Sequence, residues 1–125
     1  MPANQDHALD VIAIGRSSVD LYGQQIGSRL EDIATFSKSV GGCPANIAVG
    51  TARLGLKSGL ITGVGAEQMG RFIIEQCARE GVATQGIKID KERLTALVLL
   101  AVEDEGVSPM IFYRPDCADM AITED

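Results

Sequence analysis

The sequence is short of cysteine, histidine and basic residues, and each shortage excludes a class of protein. Its three cysteines stand far apart at positions 43, 77 and 117, so neither a disulfide framework nor a structural zinc site is expected. We expect the protein to reside in a reducing cytoplasm. The single histidine, His7, lies in a polar N-terminal segment, which argues against a His-based catalytic triad. Eleven Lys and Arg against seventeen Asp and Glu give a net charge of −6, so we expect neither nucleic acid nor a membrane as a partner.

Long apolar runs are also missing. No stretch approaches the roughly 18 residues of a membrane span, and the N-terminus lacks an export pattern. Yet 46% of the 125 residues are hydrophobic and 22% are charged, which excludes disorder and indicates at most one ordinary domain.

The distribution of apolar residues predicts an α/β protein with an additional β layer. The run at residues 11–14 predicts a strand covered on both faces, followed by a turn over residues 15–20 at its carboxyl end. After a flap strand at 34–40, a helix is predicted at 45–54, with Pro44 in its first turn and Gly55 past its end. The remaining predicted elements are a buried strand at 60–64, an amphipathic helix at 67–80, a half-exposed strand at 86–89, and a hairpin of 97–102 and 110–113 around an acidic turn at 103–106. Thr123 is typical of a helix N-cap, so we expect the domain to be incomplete at Asp125; the alternative is a polar tail after Met120.

The diglycine at Gly41 and Gly42 is the best local signal for a ligand site. Adjacent glycines allow positive φ and a close approach to a ligand, and the helix that follows offers free N–H groups. Asn46, in the first turn, could bind sugar hydroxyls, and the Asp20 carboxylate could accept two of them. For the diglycine and Asn46 taken alone, a flexible turn with Asn46 as a local cap explains the sequence as well as a ligand site does. For Asp20 taken alone, a solvated turn residue is the favoured interpretation.

Arg114 has two possible roles. It could form a forked pair with a substrate carboxylate, or it could balance the charges of Asp116 and Asp119 at the surface. Spacing alone favours the surface pair.

Two nucleotide motifs are not met. No Gly-Lys-Ser/Thr follows the diglycine, so it is not a Walker A loop. In the segment 63–70 the third glycine stands two positions too late for a dinucleotide fingerprint, which disfavours a nicotinamide-dependent dehydrogenase.

Together these motifs resemble the N-terminal signature of the ribokinase/PfkB family of carbohydrate kinases, from about Val11 to the end. The matching segments are residues 11–15 with Asp20, 41–48, 54–55, 63–65 and Gly70. The resemblance implies a ribokinase-like fold: a mainly parallel sheet flanked by helices, with a small β lid. It also implies that residues 1–125 are the N-terminal part of a single domain, because the Gly-Ala-Gly-Asp motif of the family's catalytic half occurs nowhere in the sequence.

The resemblance further implies roles for matching residues. Asp20, Gly41, Gly42 and Asn46 would hold sugar hydroxyls, with the glycines as a hinge for lid closure. Arg114 would bind the carboxylate of an acidic sugar. With the resemblance taken into account, this role is favoured over the surface pair with Asp116 and Asp119.

ATP and Mg²⁺ are the implied cofactors, with the catalytic base beyond residue 125 and no metal ligands in this chain. The strands at 34–40, 86–89 and the hairpin would form the lid, which in relatives can also pair subunits. Glu67 departs from the Asp that many members carry, which we interpret as a tolerated change in helix capping. Alternatives that stay open are a kinase for another sugar and a non-catalytic binding or assembly module.

Overall fold

The computed structural model describes residues 8–103 and 109–125. Their helices and strands are, in order, β1 Val11–Ile14, β2 Ser18–Gly23, β3 Phe36–Gly41, α1 Cys43–Arg53, β4 Ser58–Gly65, α2 Gln68–Arg79, β5 Ile87–Asp90, β6 Leu97–Leu100 and β7 Met110–Tyr113. Single 3₁₀ turns lie at Leu30–Asp32 and Ala118–Met120. Strands β1, β4 and β5 form a parallel core sheet in the order β1-β4-β5, and a separate four-stranded sheet has the order β3-β2-β6-β7. The predicted α/β pattern with an additional β layer is confirmed.

The core lies between the core sheet and the two helices. Leu60 and Val64 of β4 pack with Ile73 and Cys77 of α2, and all four side chains are at most 1% exposed. Burying a Leu, Val or Ile side chain contributes about 1.5–3 kcal/mol, so this contact stabilises the position of α2. Ala48 of α1 is fully buried because its small side chain lets the helix approach the sheet closely.

Strand β1 is less covered than its apolar sequence predicts. Ala13 is 8% exposed beneath α1, but Ile12 and Ile14 on the opposite face are 54% and 64% exposed. The prediction of a strand covered on both faces is therefore wrong within the described residues. An uninterrupted apolar run indicates burial without saying which neighbour supplies it.

Two strands differ from the prediction in place or partner. The turn predicted over residues 15–20 is short, because β2 already begins at Ser18 and Asp20 lies in the middle of that strand. The segment at 86–89 is a strand as predicted, but β5 pairs with β4 in the core sheet and is not part of the second sheet. Alternation of polar and apolar residues predicts exposure of one face and carries no information about the partner strand.

The hairpin is confirmed. Strands β6 and β7 pair antiparallel from Leu97 with Tyr113 to Leu100 with Met110, whereas residues 104–106 of the predicted acidic turn lie outside the described residues. No helix forms over residues 121–125. Neither of the two α-helices described is long and apolar enough to cross a membrane.

Glu67 caps α2 and also connects it to the segment that precedes β6. Its Oε1 accepts hydrogen bonds from the N–H of Gly70, at 2.8 Å, and from the hydroxyl of Thr95, at 2.5 Å. The same hydroxyl oxygen accepts from the N–H of Gly65 at 2.9 Å. A Glu at this position therefore serves as an N-cap, which agrees with the interpretation of Glu67 from the sequence.

Candidate functional site

The candidate site is one face of the four-stranded sheet. Strand register sets Ser39, Asp20, Val98 and Phe112 opposite one another in a single row across β3, β2, β6 and β7. Directly opposed residues project from the same face of a sheet, so this row defines what we name the Asp20 face. The reverse face packs on the core through Val19, Leu21, Val40 and Leu97.

Asp20 is held partly out of water on this face. Ser18 donates a hydrogen bond from Oγ to Asp20 Oδ1 at 2.8 Å. Burial raises the pKa of the Asp20 carboxyl, and the Ser18 hydrogen bond and the nearby Arg16 charge oppose that rise. A carboxylate offers about four lone-pair sites, so Asp20 keeps most of its capacity to accept hydrogen bonds from a ligand.

Both glycines of the diglycine are required by close contacts. A side chain at Gly41 would collide with the carboxylate of Asp20, so these two residues are in direct contact. Gly42, the N-cap of α1, has φ of +97°, a conformation that glycine adopts readily. A Cβ at Gly42 would lie 2.5 Å from the carbonyl oxygen of Arg16, which fixes the start of α1 against the segment that follows β1.

Asn46 lies in the first turn of α1 but opens into a different space. It lines a cavity of about 440 Å³ between β3, α1 and α2, together with Lys38, Ser39 and Phe72. The ammonium of Lys38 lies over the Phe72 ring, 4.2 Å from its centroid. Asp20, Gly41, Gly42 and Arg114 do not line this cavity. Ser39, which is paired with Asp20 across the strands, is the residue that borders both places.

Arg114 forms an ion pair with a buried partner. Its Nε donates to Asp119 Oδ2 at 2.7 Å, with the Arg114 side chain 31% exposed and the Asp119 side chain 0% exposed. Asp119 Oδ1 is buried without a hydrogen-bond partner. Asp116 pairs with Arg93 instead. The prediction that Arg114 balances Asp119 is therefore confirmed, and the prediction that it balances Asp116 is wrong. The pair with Asp119 is also not at the surface, because the Asp119 side chain is fully buried. The bond to Asp119 uses Nε and not the terminal guanidinium nitrogens.

Sequence reasoning missed Arg16 as a member of this site. Its Cζ lies 5.3 Å from the centroid of the Phe112 ring, so the guanidinium lies over the row that carries Asp20. The available signal was its position directly after the glycine that ends β1, since open parallel sheets bind ligands beyond the carboxyl ends of their strands.

Metal ligands are not grouped here. Within residues 8–103 and 109–125, no three His, Cys, Asp or Glu side chains lie together in a way that could hold a metal ion.

This arrangement of a core sheet and a second, four-stranded sheet agrees with the comparison to known proteins. The model of the pfkB family carbohydrate kinases matches residues 8–125, and the chain belongs to that family. It is 39% identical to the 5-dehydro-2-deoxygluconokinase of Geobacillus kaustophilus over 123 residues, which are 98% of this chain and 37% of that protein. The chain thus spans little more than a third of this curated relative.

Solved structures confirm the ribokinase-like fold predicted from the sequence. An uncharacterized sugar kinase from Pyrococcus horikoshii, in complex with ATP, has a TM-score of 0.84 and 35% identity, covering 90% of this chain and 36% of the other. The fructokinase of Halothermothrix orenii has a TM-score of 0.83 and 35% identity, covering 94% of this chain and 41% of the other.

Proposed function

We propose that this chain supplies the sugar-binding half and the lid of a cytoplasmic kinase that transfers the γ-phosphoryl group of ATP to 5-dehydro-2-deoxy-D-gluconate in myo-inositol breakdown. The observation that carries the proposal is the Asp20 carboxylate, kept partly buried in contact with Gly41 on one face of the four-stranded sheet. The similarity to a 5-dehydro-2-deoxygluconokinase supports this choice of substrate.

The chemistry of the Asp20 face suits an acidic polyol. Asp20 accepts hydrogen bonds from hydroxyl groups, and the bare Cα atoms of Gly41 and Gly42 let a sugar approach the backbone. Asn46 lines the separate cavity, so the contact with sugar hydroxyls proposed for it requires a movement of α1 or of the four-stranded sheet. Arg114 offers its terminal guanidinium nitrogens to the substrate carboxylate, because a chain with net charge −6 attracts an anion only through local donors.

Phosphoryl transfer depends on positioning and on excluding water more than on covalent help from the protein. The role of these residues is to hold the sugar acid by its hydroxyl groups and to cover it with the four-stranded sheet. ATP and Mg²⁺ supply the phosphoryl group and its charge neutralisation in the whole kinase, and we assign none of the described residues to them. The 125-residue chain is accordingly expected to bind the sugar acid without phosphorylating it.

Two alternatives remain. A 2-dehydro-3-deoxygluconokinase, or another sugar kinase of this family, would use the same face for a different sugar. A binding or assembly module is favoured by β7, whose four side chains, Met110 to Tyr113, are 43–52% exposed on an edge strand. Exposed edge strands pair readily with a second copy, so a homo-oligomer formed through this sheet is part of that alternative.

Isothermal titration calorimetry on the 125-residue chain tests the proposal. We expect 5-dehydro-2-deoxy-D-gluconate to bind more tightly than 2-dehydro-3-deoxy-D-gluconate, and both to bind more tightly than neutral D-fructose. Tighter binding of 2-dehydro-3-deoxy-D-gluconate would favour the first alternative. No heat with any sugar, together with a concentration-dependent dimer in sedimentation, would favour the assembly module.

A further inference from the structure

Arg16 stands at the carboxyl end of β1, on a backbone that is fixed by close packing. Gly15, just before it, has φ of +136°, and the Arg16 carbonyl oxygen lies where a side chain at Gly42 would be. The backbone at Arg16 is therefore packed between the end of the core sheet and the start of α1. This packing fixes the direction of the Cα–Cβ bond of Arg16.

The guanidinium of Arg16 reaches across the Asp20 face. It lies over the ring of Phe112, which stands in the same row as Asp20, two strands away. Its positive charge is close enough to Asp20 to favour the ionised carboxylate. Stacking on an aromatic face orients a guanidinium and leaves the N–H donors, which lie in the plane of the guanidinium itself, free to bind a ligand.

Arg16 has no acid partner among the described residues. Arg29, Arg53, Arg93 and Arg114 each form an ion pair with an Asp or Glu side chain, but Arg16 forms none and makes no side-chain hydrogen bond in that part of the chain. The chain has seventeen acidic residues, yet this partly buried arginine forms no ion pair with any that the structure describes. Its guanidinium N–H groups are therefore available to bind a ligand. Arg114, by contrast, already uses Nε on Asp119.

We propose that Arg16 determines specificity for the acidic substrate by binding the sugar carboxylate as a fork, with Arg114 as the weaker second cation. The proposal rests on the function proposed above and deepens it. Phe112 is then a positioning residue, because it holds the guanidinium over the row without touching the carboxylate itself. A sugar with a neutral group in place of the carboxylate would gain nothing from Arg16.

Calorimetry with 5-dehydro-2-deoxy-D-gluconate and with neutral D-fructose separates the possibilities. Arg16→Gln is expected to weaken binding of the acid about ten- to a hundredfold and to change fructose binding less than about twofold. Arg16→Lys keeps the charge but loses the fork, so its loss is expected to be intermediate. Arg114→Gln is expected to cost less than Arg16→Gln. Arg29→Gln, which removes an equal charge from an exposed loop, is the matched control and should bind like the wild type.

Three results would overturn the assignment of Arg16: wild-type affinity for the acid in Arg16→Gln, an equal loss for acid and fructose, or a larger loss in Arg114→Gln. If the wild-type chain binds neither sugar, the proposed function itself fails, which is a distinct outcome. Phe112→Leu provides a second variant should Arg16→Gln not fold. It retains the arginine without its aromatic support, and we expect a loss for the acid of about two- to fivefold with fructose unaffected.

Discussion

The carboxylate of Asp20 packs directly against Gly41, in the space that any larger residue at position 41 would fill. The residue that offers acceptors to a sugar and the glycine that ends β3 therefore depend on one another. A change at Gly41 must act on Asp20 even though glycine has no functional group.

Gly41→Ala is expected to displace the Asp20 carboxylate and to weaken sugar-acid binding at least about tenfold. The free energy of unfolding is expected to change by less than about 1 kcal/mol, measured by urea denaturation, because the clash is with the end of a side chain that can move. Gly50→Ala is the matched control, because a Cβ at this exposed position in α1 meets nothing within 4 Å. It should raise stability by about 0.5–1 kcal/mol and leave affinity unchanged. Wild-type affinity in Gly41→Ala would contradict the contact.

The raised pKa of Asp20 predicts a particular dependence of stability on pH. Because the folded state binds this proton more tightly than the unfolded chain, its contribution to stability is fully present below the ordinary pKa of 3.8 and is lost as the pH rises through the folded value. Asp20→Asn does not titrate, so the variant should gain stability relative to the wild type as the pH rises from the ordinary pKa of 3.8 through the raised pKa of folded Asp20. Urea denaturation at several pH values measures this difference, and a flat or reversed trend would refute it.

Ser18→Ala provides a companion to that measurement. The Ser18 hydroxyl lowers the pKa of Asp20 by donating to its carboxylate, so its removal should raise that pKa further. The loss of stability with rising pH should then be steeper than in the wild type. An unchanged slope would show that Ser18 does not interact with the charged form.

The ion pair between Arg114 and Asp119 predicts a stability effect separate from binding. Arg114→Gln leaves the fully buried Asp119 carboxylate without its cation, at an expected cost of about 2–3 kcal/mol, reduced from the fully buried case because Arg114 is 31% exposed. Adding Asp119→Asn removes the unpaired charge and should restore part of that stability. Thermal unfolding of both variants tests this, and additive losses in the double variant would count against a direct pair.

The Glu67 cap predicts a local loss of helix stability. Glu67→Ala removes the acceptor for both the Gly70 N–H and the Thr95 hydroxyl, and should lower the free energy of unfolding by about 1–2 kcal/mol. Glu75→Ala, on the exposed side of α2, is the control and should change it by less than about 0.5 kcal/mol. Equal effects of the two substitutions would contradict the capping role.

The sequence was sufficient to predict elements that local patterns define. Strand β1, helices α1 and α2 and the hairpin follow from apolar runs, Pro and Gly positions, and helical periodicity. The same patterns did not reveal β2, because its residues alternate weakly and gain strand structure from pairing with β3 and β6. Strand β5 was assigned to the wrong sheet for the same reason, since the choice of a partner strand is non-local.

The candidate site was predictable in part. Asp20 and Gly41 are in contact, but Asn46 lines a separate cavity and Arg114 is paired with Asp119. The stacking of Arg16 on Phe112 joins residues 96 positions apart along the chain, and no local spacing encodes such a contact.

The most direct test of the account is an NMR titration of the 125-residue chain with 5-dehydro-2-deoxy-D-gluconate. We expect the amide signals of Asp20, Gly41 and Gly42, and the Nε–H signals of Arg16 and Arg114, to shift together with one saturation curve. Shifts confined to the cavity between β3, α1 and α2, at Lys38, Phe72 and their neighbours, would contradict it.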